Sequence, residues 1–477
     1  MSEPHGNDMD IIGLELSDAG ILAAGGGPPR LLPVDGRSLE SPGYALELKK
    51  RLLIGGEAYD QTRIHPRGTN NRFWSQLSTH PLSEKTVTVS SYAEIALRHL
   101  EKIRNAIAAP VGEWIPAVPG FMDEAKLGIL LGIFRELDVP VKGLVNSAVA
   151  AVRPTLEKGS ILHLDTHLHR IEITRCSQGE RIEVEQTQVI SDGGWHDLSE
   201  QLANHLANEF VRATRFDPLH DAQVEQQLYS RLAPLLRKPL PGDGEPLELN
   251  TGKTAHTLSV LPQMLNDASA TIRERIVDTV RKVLSSLPAG EPVACIQLSH
   301  RAALVPGLHD ALISAQLGPV EVLPVGSAAL GAVELADDFS REKESKGATF
   351  LTGRIRRSDE PVAQASVQAH IPEAPSSARP THILTGSKAY AIAGHPLGIS
   401  ADPRTGHIRI GAAEDGEHGV IRLQNGEPVL EPGARQKTSV DGRPVLSPVP
   451  LALGQHIQID GSVGDVLLIH VESGDGA

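Results

Sequence analysis

Residues Gly159–Asp197, GSILHLDTHLHRIEITRCSQGERIEVEQTQVISDGGWHD, leave the chain few options. Ile161, Leu162 and Leu164 form a short apolar run that ends at Asp165, and Ile171 and Ile173 resume it beyond a tight reversal. A connection that short joins antiparallel strands, so the pair reads as a β-hairpin. Ile182, Val184, Val189 and Ile190 supply a third β-type segment. Asp192-Gly193-Gly194 then breaks the pattern, and Leu198, Leu202 and Leu206 recur every fourth residue, the spacing of one helix face. Strand, strand, strand, helix is the order that the rest of the chain must accommodate.

Upstream, Ile11–Leu16 reads as a strand and Ser17-Asp18-Ala19-Gly20 as a turn into a second, with a break at Gly25-Gly26-Gly27-Pro28-Pro29. Short strands with polar turns follow to Leu48. Ile95, Leu97, Leu100, Ile103 and Ile107 mark an amphipathic helix between Ser91 and Ala109. A strand at Glu113–Val118, a helix burying Leu127, Leu130, Leu131 and Phe134, and a strand at Val139–Val145 come next, and Ala148–Val152 opens a further helix. Leu198–Phe210 and much of Asp221–Val283 alternate helical and polar stretches around a break at Pro239–Pro246, and Cys295–Ile313 reads as strand, turn and helix. Asp337–Pro380 is charged, then rich in Ala, Pro and Ser, which predicts a flexible linker with one strand at Phe350–Ile355 and a solvated RIRR cluster. From Thr381 onward, short apolar pieces separated by turn residues predict a β-sandwich.

Composition narrows the partners. A formal net charge of −14 repels nucleic-acid phosphates and anionic lipid, which argues against both. Aromatics are 3% of the chain, so Leu, Val, Ile and Ala must fill the cores. Cys176 and Cys295 alone can form neither a disulfide framework nor a zinc site, which fits a reducing cytosol. The acidic, polar start MSEPHGNDMD does not read as a secretory signal, and no apolar run approaches the roughly 20 residues of a membrane helix. The expectation is a soluble, cytoplasmic protein without membrane insertion.

The order of these segments resembles the ATPase domain of the actin/Hsp70 superfamily. Ser41-Pro42-Gly43-Tyr44-Ala45 and Ile54-Gly55-Gly56-Glu57-Ala58 stand where that family has its PS-x-V strand and its hydrophobic-Gly-x-x-Ala segment. AVPGFMDEAKLGILLGIFRELDVPVKGLVNSAVAAV follows the family's VPA-x-F to AAA segment, and VEVLPVGSAALGAVELA its closing GAA helix. The resemblance runs from about Asp10 to Ala336. It implies a two-lobed nucleotide-binding fold in which Gly-rich hairpins, a lysine, carboxylates and a Gly-Gly turn hold Mg-ATP.

Residue by residue, most of that equipment is replaced. In the first hairpin the family's Asp-Leu-Gly-Thr-Thr is Glu15, Leu16, Ser17, Asp18 and Ala19, which keeps the acid and adds a second one. Gln76 stands for the catalytic lysine, and Ser147 for the glutamate of the N-E-P segment. In the second hairpin Asp165 is kept, but His167, Leu168, His169 and Arg170 replace its glycines and threonine, and His300-Arg301 replace the glycines under the adenosine. The residual nucleotide-binding candidates are therefore Glu15, Asp165, Gly193 and Gly194. Side chains at 167–169 intrude where phosphate should approach bare backbone, so a pseudo-ATPase is expected. Asp165 has two readings, a cap on its own hairpin and an organiser of Mg²⁺. His163, His167 and His169 at alternate positions suit zinc or nickel in principle, but no carboxylate or cysteine is spaced with them. Asn250-Thr251-Gly252-Lys253-Thr254 lacks the earlier glycine of a P-loop. Trp74 and Trp195 read as core or lobe-interface residues.

The last hundred residues, in the order GHPLGIS, EHGVIRL, TSVDGRPV and LALGQHIQIDG, are similar to a forkhead-associated (FHA) domain. The family's phosphate-reading positions become His395, Asp415 and Gln436, and His418 keeps a histidine that buttresses the loop. Asp415 would repel phosphate, so a phosphate-independent module is expected ahead of phosphothreonine-peptide recognition.

The sequence thus predicts an α/β, two-lobed actin-like or Hsp70-type fold over 10–336, a linker over 337–380 and an all-β, FHA- or SMAD-like sandwich over 381–477. No counterpart of the Hsp70 peptide-binding sandwich and lid is evident, so nucleotide-driven refolding is not expected. A scaffold or adaptor with protein partners and no cofactor is one function. An ATP-binding, chaperone-like protein using Mg-ATP or Mg-ADP is the alternative, and a phosphothreonine-peptide binder a third.

Overall fold

The computed structural model describes residues 11–82, 88–107, 112–155, 159–252, 254–288, 291–341 and 349–355, and within 380–469 the strands and some connections between them. The chain divides into two compact units, 1–367 and 368–477.

The first unit begins with β1 (Ile11–Glu15), β2 (Ile21–Gly25) and β3 (Arg30–Leu32), an antiparallel meander. The two-residue β4 (Glu40–Ser41) also pairs with β2, and β5 (Ala45–Leu48), β6 (Arg51–Ile54) and β7 (Thr69–Asn70) make a separate small sheet around the short α1 (Gly56–Tyr59). Helix α2 (Tyr92–Ile107) buries Ile95, Leu100 and Ile103, and leads to β8 (Glu113–Val118), parallel to β1. In α3 (Glu124–Glu136) the buried face is Leu130, Ile133 and Phe134, whereas Leu127 and Leu131 are only half-buried. The expected helix face was thus rotated toward Ile133. The expected strand Val139–Val145 shrinks to β9 (Leu144–Asn146), because Pro140 and the following residues run as a loop against Trp114. Helix α4 (Ser147–Ala151) follows directly.

The second half repeats this order. β10 (Ser160–Thr166), β11 (Arg170–Gln178) and β12 (Arg181–Ser191) form the meander expected from sequence. Helix α5 (Trp195–Thr214) buries Leu198, Leu202, Leu206 and Phe210 on one face. An inserted layer holds α6 (Ala222–Leu236), the hairpin β13 (Glu245–Asn250) and β14 (Ala255–Val260), α7 (Pro262–Ala268) and α8 (Ala270–Ser285). Thr251 and Gly252 follow β13 in the connection to β14, with Gly252 at φ 83° and the Thr251 amide donating to the Thr254 carbonyl; Lys253 lies outside the described residues. β15 (Val293–Leu298) then lies parallel to β10, and past α9 (Leu308–Ser314) β16 (Val320–Val322) lies parallel to β15. Helix α10 (Ser327–Glu334) crosses α4 so closely that a Cβ on Gly331 would lie 1.9 Å from the carbonyl oxygen of Ala150. Only glycine fits there.

Part of the expected linker is ordered structure. α11 (Ala336–Arg341) precedes two strands rather than one, β17 (Phe350–Leu351) and β18 (Gly353–Ile355). β17 extends the first large sheet beside β9, and β18 extends the second beside β12. The two sheets therefore run β17-β9-β8-β1-β2-β3 and β16-β15-β10-β11-β12-β18, the same arrangement twice apart from the added strands. Leu351 is buried with Val145, Val149 and Phe339, and Arg354 donates to the carbonyls of Val149 (3.1 Å) and Val152 (2.9 Å), capping α4. Residues 356–379 lie outside the described residues.

In the second unit the described elements are strands, arranged as antiparallel sheets of six and five. Ile383, Ile399, Ile421, Leu430, Ile457 and Leu468 share one apolar cluster. Among the described residues, no helix is long and apolar enough to cross a membrane.

Candidate functional site

In the first unit, the turn after β1 and the turn after β10 face each other, each carried by the first strand of its sheet. Glu15 ends β1, and its Oε1 lies 2.6 Å from Nη1 of Arg301, which follows β15. Arg301 is 5% exposed, and each of its nitrogens has a partner: Nε donates to Glu40 at 3.0 Å and Nη2 to the Gly20 carbonyl at 2.5 Å. Burial opposes its charge, but Glu15, Glu40 and Asp165 together hold the guanidinium more firmly protonated than usual. Burial likewise works against the Glu40 carboxylate, yet Arg301, His300 and Arg237 draw its pKa down to about 2.

Asp165, the last residue but one of β10, lies in a similar position. Its Oδ1 accepts from the Thr166 amide (2.8 Å) and the Ser299 hydroxyl (2.5 Å), tying the ends of β10 and β15 together. Against desolvation, His167, Arg301 and His163 hold its carboxyl well below the usual range. The backbone bond of Asp165 is to the adjacent Thr166 amide; the amides of the turn itself go to Arg170 and Asp18.

The turn beyond Asp165 is closed onto the first half. Leu168 is fully buried among Tyr44, Leu46, Leu53 and Ala58. Its amide donates to Asp18 Oδ1 at 2.6 Å, so a carboxylate takes the backbone group that the resemblance assigns to a phosphate. Ser17 and His167 share a hydrogen bond of 3.0 Å, and His169 Nε2 donates to the Asn71 carbonyl at 2.9 Å. Gly194 is needed for packing: a Cβ there would lie 2.4 Å from the Arg170 amide and 2.6 Å from the carbonyls of His167 and Leu168. Those carbonyls accept from Trp195 and His196 at 2.8 Å, so the turn itself satisfies the N-terminus of α5. Gly193 meets only ordinary contacts.

Two further ties cross the same seam. Glu172 on β11 accepts from the amides of Gly120 and Phe121, and burial raises its pKa. Arg63 lies 3.5 Å over the Tyr229 ring and pairs with Glu200 at 2.5 Å, while Gln226 bonds the backbone of Arg63 and Tyr59. What space remains among Glu15, Ser147, His163, Asp165 and Ser299 is a cavity of about 10 Å³. That is the size of one water, whereas small-ligand sites run to several hundred Å³.

A serine, a histidine and an aspartate do meet elsewhere, in the first half. Ser41 bonds His99 Nε2 (2.9 Å) and Asp35 (3.0 Å). Trp74 donates its indole hydrogen to His99 Nδ1 at 3.0 Å. Indole can only donate, so Nδ1 accepts, Nε2 carries the hydrogen, and the imidazole cannot take a proton from Ser41. Ser41 is also fully buried, and burial, then Lys102, drives the His99 pKa down to about 3. The trio is structural.

The predicted positions thus separate. Glu15, Asp165 and Gly194 converge on the seam, each occupied by protein groups, and Gly193 lies beside them. Gln76 is exposed. Trp74 is core and Trp195 packs against the Leu168 cluster. Among the described residues no group of three or more His, Cys, Asp or Glu is placed to hold a metal ion. In the second unit His395 is exposed, and the buried His418 offers its carbonyl to Thr438 Oγ1 (2.7 Å) and the Gly433 amide (3.1 Å). Asp415 and Gln436 lie outside the described residues. Glu40 and Arg63 carry no signal in the sequence, because their partners are 261 and 137 residues away. No protein-family model matches this chain, and no curated protein matches it.

Proposed function

We propose that residues 10–336 are a degenerate actin/Hsp70-type domain that works as a scaffold or regulatory adaptor, with residues 381–477 an FHA-like β-sandwich that recruits a protein partner. The carrying observation is the occupied seam, where Asp18, Leu168 and Arg301 take the volume and the backbone donors that a bound triphosphate would need. The twice-repeated strand order and the crossing of α4 with α10 support the two-lobed reading. The six- and five-stranded sheets with one shared cluster support the sandwich. Glu15 Oε1 and Asp165 Oδ1 already accept from Arg301 and Ser299, which counts against the nucleotide-binding alternative at its two retained acids.

Isothermal calorimetry of the full chain with Mg-ATP and Mg-ADP tests the reading. No binding heat at millimolar nucleotide is expected, and micromolar affinity with phosphate release would overturn it. A phosphothreonine-peptide array read with wild type and His395→Ala tests the second unit. Hits abolished by the substitution would replace the phosphate-independent reading with phosphopeptide recognition.

A further inference from the structure

Histidine is unevenly used in this chain: His163, His167, His169, His196 and His300 all line the seam. Two of them face each other where the second turn meets both the first half and a helix end. The rings of His169 and His196 are 5.4 Å apart. His169 carries the bond to the Asn71 carbonyl, and His196 is the second residue of α5, whose N-terminus disfavours positive charge. We propose that this pair is an acid-operated release, in which charge on two facing imidazoles 5.4 Å apart is relieved by opening of the 167–169 turn.

The charges around the pair are mixed. His169 faces Asp18, Asp197 and Arg72, and His196 faces Glu200, Asp197 and Arg63. Burial is the largest effect on both and lowers both pKa values, outweighing Asp18, Asp197 and the Asn71 carbonyl at His169 and Glu200 and Asp197 at His196, with the neighbouring ring adding to burial at His196. His163, deeper in the seam beside Asp165, Glu15 and His167, is likewise held neutral. The sign follows from linkage: a released turn exposes ordinary imidazoles, which bind protons more readily than the closed ones. Acid therefore favours release, beginning as pH falls through about 6.5. At pH 5.5 each imidazole that changes environment multiplies the released population by up to about tenfold, and the pair by up to about 100-fold.

Hydrogen exchange of the full chain at pH 7.5 and 5.5, corrected for intrinsic rates, reads this directly in peptides covering 165–170 and 194–198. Those peptides hold the Leu168 amide bonded to Asp18 and the Trp195 and His196 amides bonded to the turn. Wild type should lose at least tenfold in protection at pH 5.5. His169→Gln/His196→Gln keeps an amide donor for Asn71 and should lose less than threefold. Glu172→Gln removes a seam carboxyl whose pKa burial raises and should keep the full response. Wild-type protection that is equal at the two pH values overturns the proposal, and that measurement needs no variant to fold. An equally steep loss in the double variant, or its disappearance in Glu172→Gln, overturns it as well.

Discussion

Replacing Arg301 by Met keeps most of the side-chain volume but removes the guanidinium at the centre of the seam. Three acceptors lose a donor, Glu15, Glu40 and the Gly20 carbonyl, and Glu40 keeps Arg237. The Glu15 side chain is 7% exposed and cannot recover water, whereas Glu40 at 23% recovers part of its hydration. Breaking a buried ion pair from one side costs about 3–5 kcal/mol, and the partial exposure of Glu40 argues for the lower end, about 3 kcal/mol. Trp74, Trp114 and Trp195 are the only tryptophans and all lie in the first unit, so urea unfolding followed by their fluorescence reports that unit alone. Adding Glu15→Gln should return about 1–2 kcal/mol, because the stranded charge goes with it. A loss below about 1 kcal/mol, or no recovery in the double variant, would mean that Arg301 is hydrated and that the seam is open to water.

Leu168→Ala deletes a fully buried side chain from the Tyr44–Leu46–Leu53–Ala58 cluster and should cost about 2–4 kcal/mol in the same assay, with no gain of nucleotide binding by calorimetry. His99 is held neutral when folded and is ordinary when unfolded, so its contribution is complete above pH 6.5. That contribution is lost at about 1.4 kcal/mol per pH unit as pH falls toward 3. His99→Gln should therefore reduce the proton uptake on unfolding near pH 5 by about one, and an unchanged uptake would place a charged imidazole in the core. Cys176 and Cys295 are 0% and 1% exposed, with burial pushing both thiols up to about 12. A thiol reagent should find neither in the native protein and both in denaturant, and rapid native labelling would contradict their burial.

Local order was readable from sequence wherever a repeat of two or four decided burial. The Leu198–Phe210 face of α5 follows directly from such spacing, whereas the meander β10–β12, whose first strand is buried on both faces, follows from its β-type residues and tight reversals. The face of α3 is not legible in sequence, because Leu127, Leu130, Leu131, Ile133 and Phe134 are all apolar and only the neighbouring sheet decides which of them turn inward. The strands at 350–355 are two and three residues long and take their stability from the edges they join, which no window of sequence contains. Site chemistry divides similarly. The substitutions at 167–169 and 300–301 are visible in the chain, and their effect on a phosphate site follows from bulk. That Asp18 would accept the Leu168 amide, and Arg301 join Glu15 to Glu40, depends on approaches between residues 150 to 286 positions apart.

The stretch Thr349–Ile355 gives the chain a mechanical order. Tension applied beyond Ile355 falls first on the three residue pairs between β18 and β12 and on the Arg354 contacts with α4. It reaches β17 and the buried Leu351 only after those yield. A pull from the second unit would thus undo the first one sheet at a time, and optical-trap extension should record a small early rip before the main rupture.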